Sequence, residues 1–179
     1  MGRWMWMAGA GCSAVVVACA LGQLTPRAQA AAPADGVMHW IGEGSQVYAC
    51  IRDGERFAWT LQRPDATLID ETGKARGQHG AGPSWTALDG SAVFGTIVTS
   101  VPAPAPGAIP WLVLRASRHV GNGLMSGVGY VLRTDTEGGA VPSAGCDASH
   151  EGAEERRPYR ATYTFLVEPI LPEPGGAAR

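Results

Sequence analysis

The chain has 179 residues, 45 % of them hydrophobic and 17 % charged, and 14 basic against 16 acidic residues set its formal charge at −2. That is enough apolar material for one buried core, and a mildly acidic chain with one lysine and no basic cluster excludes nucleic acid and anionic lipid surfaces as partners. With 25 glycines and 13 prolines breaking it at short intervals, the chain has no room for long helices.

Residues 1–30 read as an export signal: Arg3 supplies a basic start, Ala8 to Leu24 is small and apolar, and Ala28, Gln29 and Ala30 form an A-x-A cleavage site. The apolar run is too short and too interrupted to be a membrane-spanning helix. An alternative uses Val16, Val17, Ala18 and Cys19 as a lipoprotein signal, with Cys19 lipidated and anchoring the chain. Cleavage after Ala30 removes two arginines and leaves 12 basic against 16 acidic residues, a charge of −4. The expected product is exported, either periplasmic or secreted, with residues 31–167 as one domain and 168–179 as a Pro- and Gly-rich flexible tail.

Within the domain, period-two alternation recurs and helical periodicity does not, which predicts an all-β fold. Gln46 to Arg52 places Val47, Ala49 and Ile51 on one side; Arg56 to Gln62 does the same with Phe57, Trp59 and Leu61 across an Asp53-Gly54 turn. Ala66 to Ile69 forms a short third strand, and the run GQHGAGPSWTALDGS, Gly77 to Ser91, reads as an irregular glycine-built loop. Ala92 to Ser100 resumes as a strand. Val101 to Pro110 is a proline-rich connection outside the ladder, and Trp111 to Arg118 and Val128 to Thr134 follow as strands. Glu154 to Arg157 reads as a charged surface loop. The last strand, Tyr159 to Val167, sets Tyr159, Ala161, Tyr163, Phe165 and Val167 on one face. About seven or eight strands fit a single antiparallel β-sandwich or a small β-barrel. Trp59 and Trp111, in phase with apolar neighbours, are expected in the core.

With Cys12 and Cys19 in the leader, Cys50 and Cys146 remain as an even pair in an oxidising compartment and predict one disulfide. A loop of that length is worth about 4 to 5 kcal/mol in the chain-entropy account.

Several motifs now stand in order: Tyr48-Ala49-Cys50, Trp59 and Leu61 ahead of Pro64 and Ala66, GQHGAGPSW, DGS, Ile109-Pro110-Trp111-Leu112, Gly145-Cys146-Asp147-Ala148, and Pro158-Tyr159. Together they make the chain resemble the exported "domain of unknown function 3455" family of bacteria and fungi, over roughly Gly36 to Val167. The resemblance implies an exported single domain with no established activity.

No serine stands in a nucleophile elbow, and there is no HxH or HExxH pair. Gly121, Gly123 and Gly127 lack the spacing, helix and acid of a dinucleotide site and read as turn glycines. No cofactor is expected. The residues left as ligand-binding candidates are His79, Trp85, Asp147 and His150, with Trp85 either plugging the fold or offering an indole face to a sugar ring. The reading is a non-catalytic ligand-binding or envelope-associated module whose partner is a small molecule, a glycan or an envelope protein. One alternative is a metal-dependent enzyme using His79, Asp147 and His150. A further one is a periplasmic inhibitor-like protein-binding barrel, an architectural analogy resting on the early hairpin around Cys50.

Overall fold

The structure, a computed structural model, describes Gly2 and residues 36–168. Apart from Gly2, the segment expected to be a leader, with Cys19, and the expected tail after Glu168 lie outside the described residues. Within them the chain forms eight strands, β1 (Val37–Asp53), β2 (Arg56–Ile69), β3 (Ala75–Gly80), β4 (Ser84–Ala87), β5 (Ala92–Val101), β6 (Trp111–Val120), β7 (Val128–Gly138) and β8 (Glu154–Val167).

Each strand pairs antiparallel with the next, and β1 closes on β8, so the sheet is an up-and-down barrel rather than a sandwich. The 17-residue β1 makes the closure. It pairs from Ile41 to Asp53 with β2 along one edge and from Val37 to Ala49 with β8 along the other, leaving no unpaired edge. Among the described residues no helix is long and apolar enough to cross a membrane.

Several strands differ from their sequence reading. Ala66 to Ile69 is not a separate strand but the second half of β2, which runs through Pro64. The missing proline N–H is tolerated because Pro64 pairs with Gln46 of β1, whereas β3 first meets β2 at Ala66. Glu154 to Arg157 is the start of β8 rather than a loop, with Arg156 held by Asp65 and Arg157 by Glu155. The run from Gly77 is not an irregular loop either. It is the β3–β4 hairpin, turning at residues 81–83 with Gly82 at φ +124°. Gly77 belongs there because a Cβ would collide with the Thr86 carbonyl across the ladder, a strand reason for glycine rather than a loop reason.

The alternation of β1 breaks after Val47. Val47 is buried, but Ala49 is partly exposed and Ile51 is 41 % exposed, whereas Gln46, Tyr48 and Cys50 are buried. Alternation distinguishes two faces but does not say which is inner, and a bulge between Val47 and Tyr48 disturbs the ladder at this point.

Most of the core lies towards the floor, where Met38, Trp40, Leu68, Trp85, Val93, Leu114, Met125, Val128, Val131, Tyr163 and Phe165 are buried, while Ile109 and Tyr159 extend it along one side to the mouth. Two glycines make room for the aromatic rings. A Cβ on Gly42 would come within 2.6 Å of Tyr163 Cε2, and one on Gly95 within 3.2 Å of Trp85 Cζ3. Trp59 and Trp111, by contrast, are only partly buried and lie outside this cluster.

Strand alternation puts the β2–β3, β4–β5 and β6–β7 connections at one end, the floor, and the other connections at the mouth. The floor is fastened by Asp89. Its Oδ2 accepts from the Leu124 N–H at 2.8 Å, and its Oδ1 holds the Ser91 hydroxyl at 2.6 Å. Ser91 Oγ in turn accepts from the Met125 N–H at 3.1 Å, which seats Met125 in the barrel. At the mouth, the Cys50–Cys146 disulfide, spanning 96 residues of sequence, ties the β7–β8 connection to the β1–β2 hairpin.

Candidate functional site at the barrel mouth

Above the packed floor the barrel holds a cavity of about 400 Å³. Its apolar wall includes Leu61, Pro64, Pro83, Ile97, Leu112 and Leu114; Gln62, Arg63 and Ser100 lie at its lining, and the polar groups central to the site are Gln46, His79, Arg133 and Tyr163, with the Trp85 indole beside them. Alternation delivers each polar group inward from a different strand. His79 and Trp85 face each other across β3–β4, and Arg133 of β7 lies between Tyr163 of β8 and Leu112 of β6.

His79 and Trp85 stack with ring centroids 4.8 Å apart and planes 6° from parallel. Tyr163 meets both rings edge-on, at 4.9 Å and 5.7 Å. His79 is 3 % exposed and Trp85 1 %, so neither presents an outer surface. Burial, more than any other influence, pushes the His79 pKa down to about 4, and the ring is neutral at physiological pH. Its Nδ1 lies 2.8 Å from the Ser84 carbonyl. A carbonyl only accepts, so Nδ1 carries the proton and Nε2 is the ring's acceptor.

Burial likewise raises the Tyr163 and Tyr159 pKa values, and their hydroxyls, 3.3 Å apart, stay protonated. Arg133 Nε and Nη2 both donate to the Pro110 carbonyl, at 3.0 and 2.8 Å, and its positive charge opposes the rise that burial imposes on the Tyr163 pKa. Among the described residues three buried side-chain donors have no partner, Gln46 Nε2, Trp85 Nε1 and Trp111 Nε1, and the first two belong to residues that line the cavity.

Of the four candidates drawn from the sequence, the cavity unites His79 and Trp85. Asp147 and His150 sit apart on the exposed β7–β8 connection, beside the disulfide. There Asp147 Oδ1 accepts from the Ser149 hydroxyl at 2.6 Å and lies 2.8 Å from His150 Nδ1. The Ser149 hydroxyl, with His150 second, holds the carboxyl below its ordinary range. Ser149 and Asp147 both approach the same ring nitrogen, His150 Nδ1, whereas a catalytic triad needs them on opposite nitrogens. Among the described residues no three His, Cys, Asp or Glu side chains gather as a metal site would require.

Sequence reading missed Gln46, Arg133 and Tyr163 as site residues. The available signal was Arg133 standing in phase with Val131 on a strand, a basic residue on an apolar face. The family model described as "Protein of unknown function (DUF3455)" matches residues 31–167 of the chain. No curated protein and no solved structure matches it.

Proposed function

The chain belongs to the DUF3455 family of proteins of unknown function, and from its own barrel we propose that it is a non-catalytic binding module holding one small, largely apolar molecule in the mouth. An eight-stranded barrel has an interior that side chains just fill or that accommodates one small ligand. Here most of the packed core lies towards the floor, and a cavity of ligand-pocket size opens at the mouth. The observation that carries the reading is the cavity itself, an apolar wall at the barrel mouth with Arg133 on an inward-facing position and no carboxylate in its lining.

A stacked and buried Trp85 favours an enclosed apolar ligand over a sugar ring laid on an outer indole face. No geometry favours the metal-dependent alternative, since His79 lies inside the barrel and Asp147 and His150 outside it. A protein partner draws some support from the exposed Leu61 and Ile97; because both also line the cavity, they serve equally as the lip through which a small molecule passes.

Titration with the neutral fluorophore N-phenyl-1-naphthylamine tests the reading. Saturable one-site binding, lost in a folded Leu112→Trp variant that fills the mouth, is expected. No saturable binding, or binding unchanged by the filling, overturns it. Export is part of the proposal and is supported by the leader pattern and the disulfide. Intact-mass analysis of the mature protein should find a free amino terminus at Ala31, and a lipidated Cys19 would replace that with an anchored form.

A further inference from the structure

We infer that the molecule taken by the barrel is a monocarboxylate with an apolar body, its carboxylate received by Arg133 and its body lying against Leu112, Leu114 and Ile97. The inference rests on the ligand-binding reading and adds the chemistry of the head group.

Arg133 is an arginine on an inward-facing position of a barrel strand. Its cross-strand partners, Tyr163 and Leu112, both line the cavity, which fixes the side chain to the same face. No carboxylate among the described residues stands within ion-pair distance of it, whereas Arg63, the other arginine at the cavity, has Glu154 at 3.7 Å. The cavity lining contains no Asp or Glu. Its charge is therefore one-sided, positive and uncompensated.

The guanidinium is also held in place. Its two bonds to the Pro110 carbonyl use two of its five N–H groups and orient it, leaving three for an incoming group. The other groups at the site agree in polarity. Gln46 Nε2 and Trp85 Nε1 are donors without acceptors, and the Tyr163 hydroxyl stays protonated. The Arg133 charge reaches across the interior, where it helps to keep the His79 ring neutral. A donor-rich, cationic head above an apolar wall suits an anionic acceptor on an apolar body, and selects against amines.

Isothermal titration of the full mature chain with octanoate, 1-octanol and octylamine tests this. A charge-assisted hydrogen bond in a partly buried site is worth at least about tenfold in affinity. Octanoate should bind at least tenfold tighter than 1-octanol, and octylamine should bind weakest. Arg133→Gln should remove the preference for octanoate, and Arg133→Lys should restore part of it, with the melting curve reporting that each variant folds. Equal binding of octanoate and 1-octanol by the wild type overturns the head-group assignment while leaving the binding reading intact. So does an undiminished octanoate preference in folded Arg133→Gln. If no probe binds the wild type, the binding reading falls and the inference falls with it. Should Arg133→Gln fail to fold, the comparison of the three probes on the wild type still decides.

Discussion

The His79 imidazole lies against the Trp85 indole with ring centroids 4.8 Å apart and planes 6° from parallel, and both residues line the cavity. Trp85 belongs to the core as well, since it also meets Phe165 edge-on at 6.1 Å. Trp85→Ala should therefore destabilise the fold by about 3–5 kcal/mol, the range for deleting a large buried aromatic. Urea denaturation measures it; a loss under 1 kcal/mol would mean the indole is not part of the core.

His79 makes stability depend on pH. Its pKa is about 4 in the fold against 6.5 for a free histidine, so between these values the unfolded chain binds the proton and the folded chain does not. Stability should be complete above pH 6.5, decline as pH falls from 6.5 towards 4, and level off below, with a total loss of about 3 kcal/mol. Asp89 and Asp147, whose pKa values lie below the usual carboxylate range, contribute their own losses only at lower pH. His79→Phe retains a ring without the titration and should flatten the decline in this window. An equally steep decline in that variant would assign the effect to other groups.

Asp89 is expected to act as a clasp on the floor. Burial alone would raise its pKa, but bonds from Ser91 and Leu124 outweigh that and hold the carboxylate ionised. Asp89→Ala should cost about 1–2 kcal/mol and accelerate amide hydrogen exchange at Leu124 and Met125 ahead of the rest of the barrel. Unchanged exchange at those two amides would show that the loop is held by other contacts.

The Cys50–Cys146 bridge closes a separation of 96 residues. Replacing both cysteines by alanine should lower stability by about 2–5 kcal/mol, measured by denaturation against the oxidised wild type. The wild type in reductant should move the same way. If reductant leaves the oxidised protein's stability unaltered, the bridge does not constrain the chain.

Gly42→Ala would put a methyl within 2.6 Å of the Tyr163 ring. Overpacking of this kind costs about 1–3 kcal/mol, and the displaced ring should also weaken N-phenyl-1-naphthylamine binding because Tyr163 lines the cavity. Wild-type stability in this variant would show that the ring has space to withdraw.

The sequence alone determined the class of the fold, the cysteine pairing and most of the strands, because these follow from local rules: period-two alternation, turn residues at fixed offsets, and an even cysteine pair once Cys12 and Cys19 are assigned to the expected leader. The final strand was legible to the phase of each residue, with Tyr159, Ala161, Tyr163 and Phe165 all buried. The hairpin at Gly77 was not legible, because Gly77 answers to the Thr86 carbonyl of the neighbouring strand and not to its own conformation, whereas only Gly82 at the turn takes a positive φ. Tertiary structure decided which face of β1 is inner, that Pro64 lies inside a continuous strand, and that the sheet closes. Closure also made the site. It gathered Gln46, His79, Trp85, Arg133 and Tyr163 from five strands at one mouth and left Asp147 and His150 outside, since curvature converts residues distant along the chain into one wall.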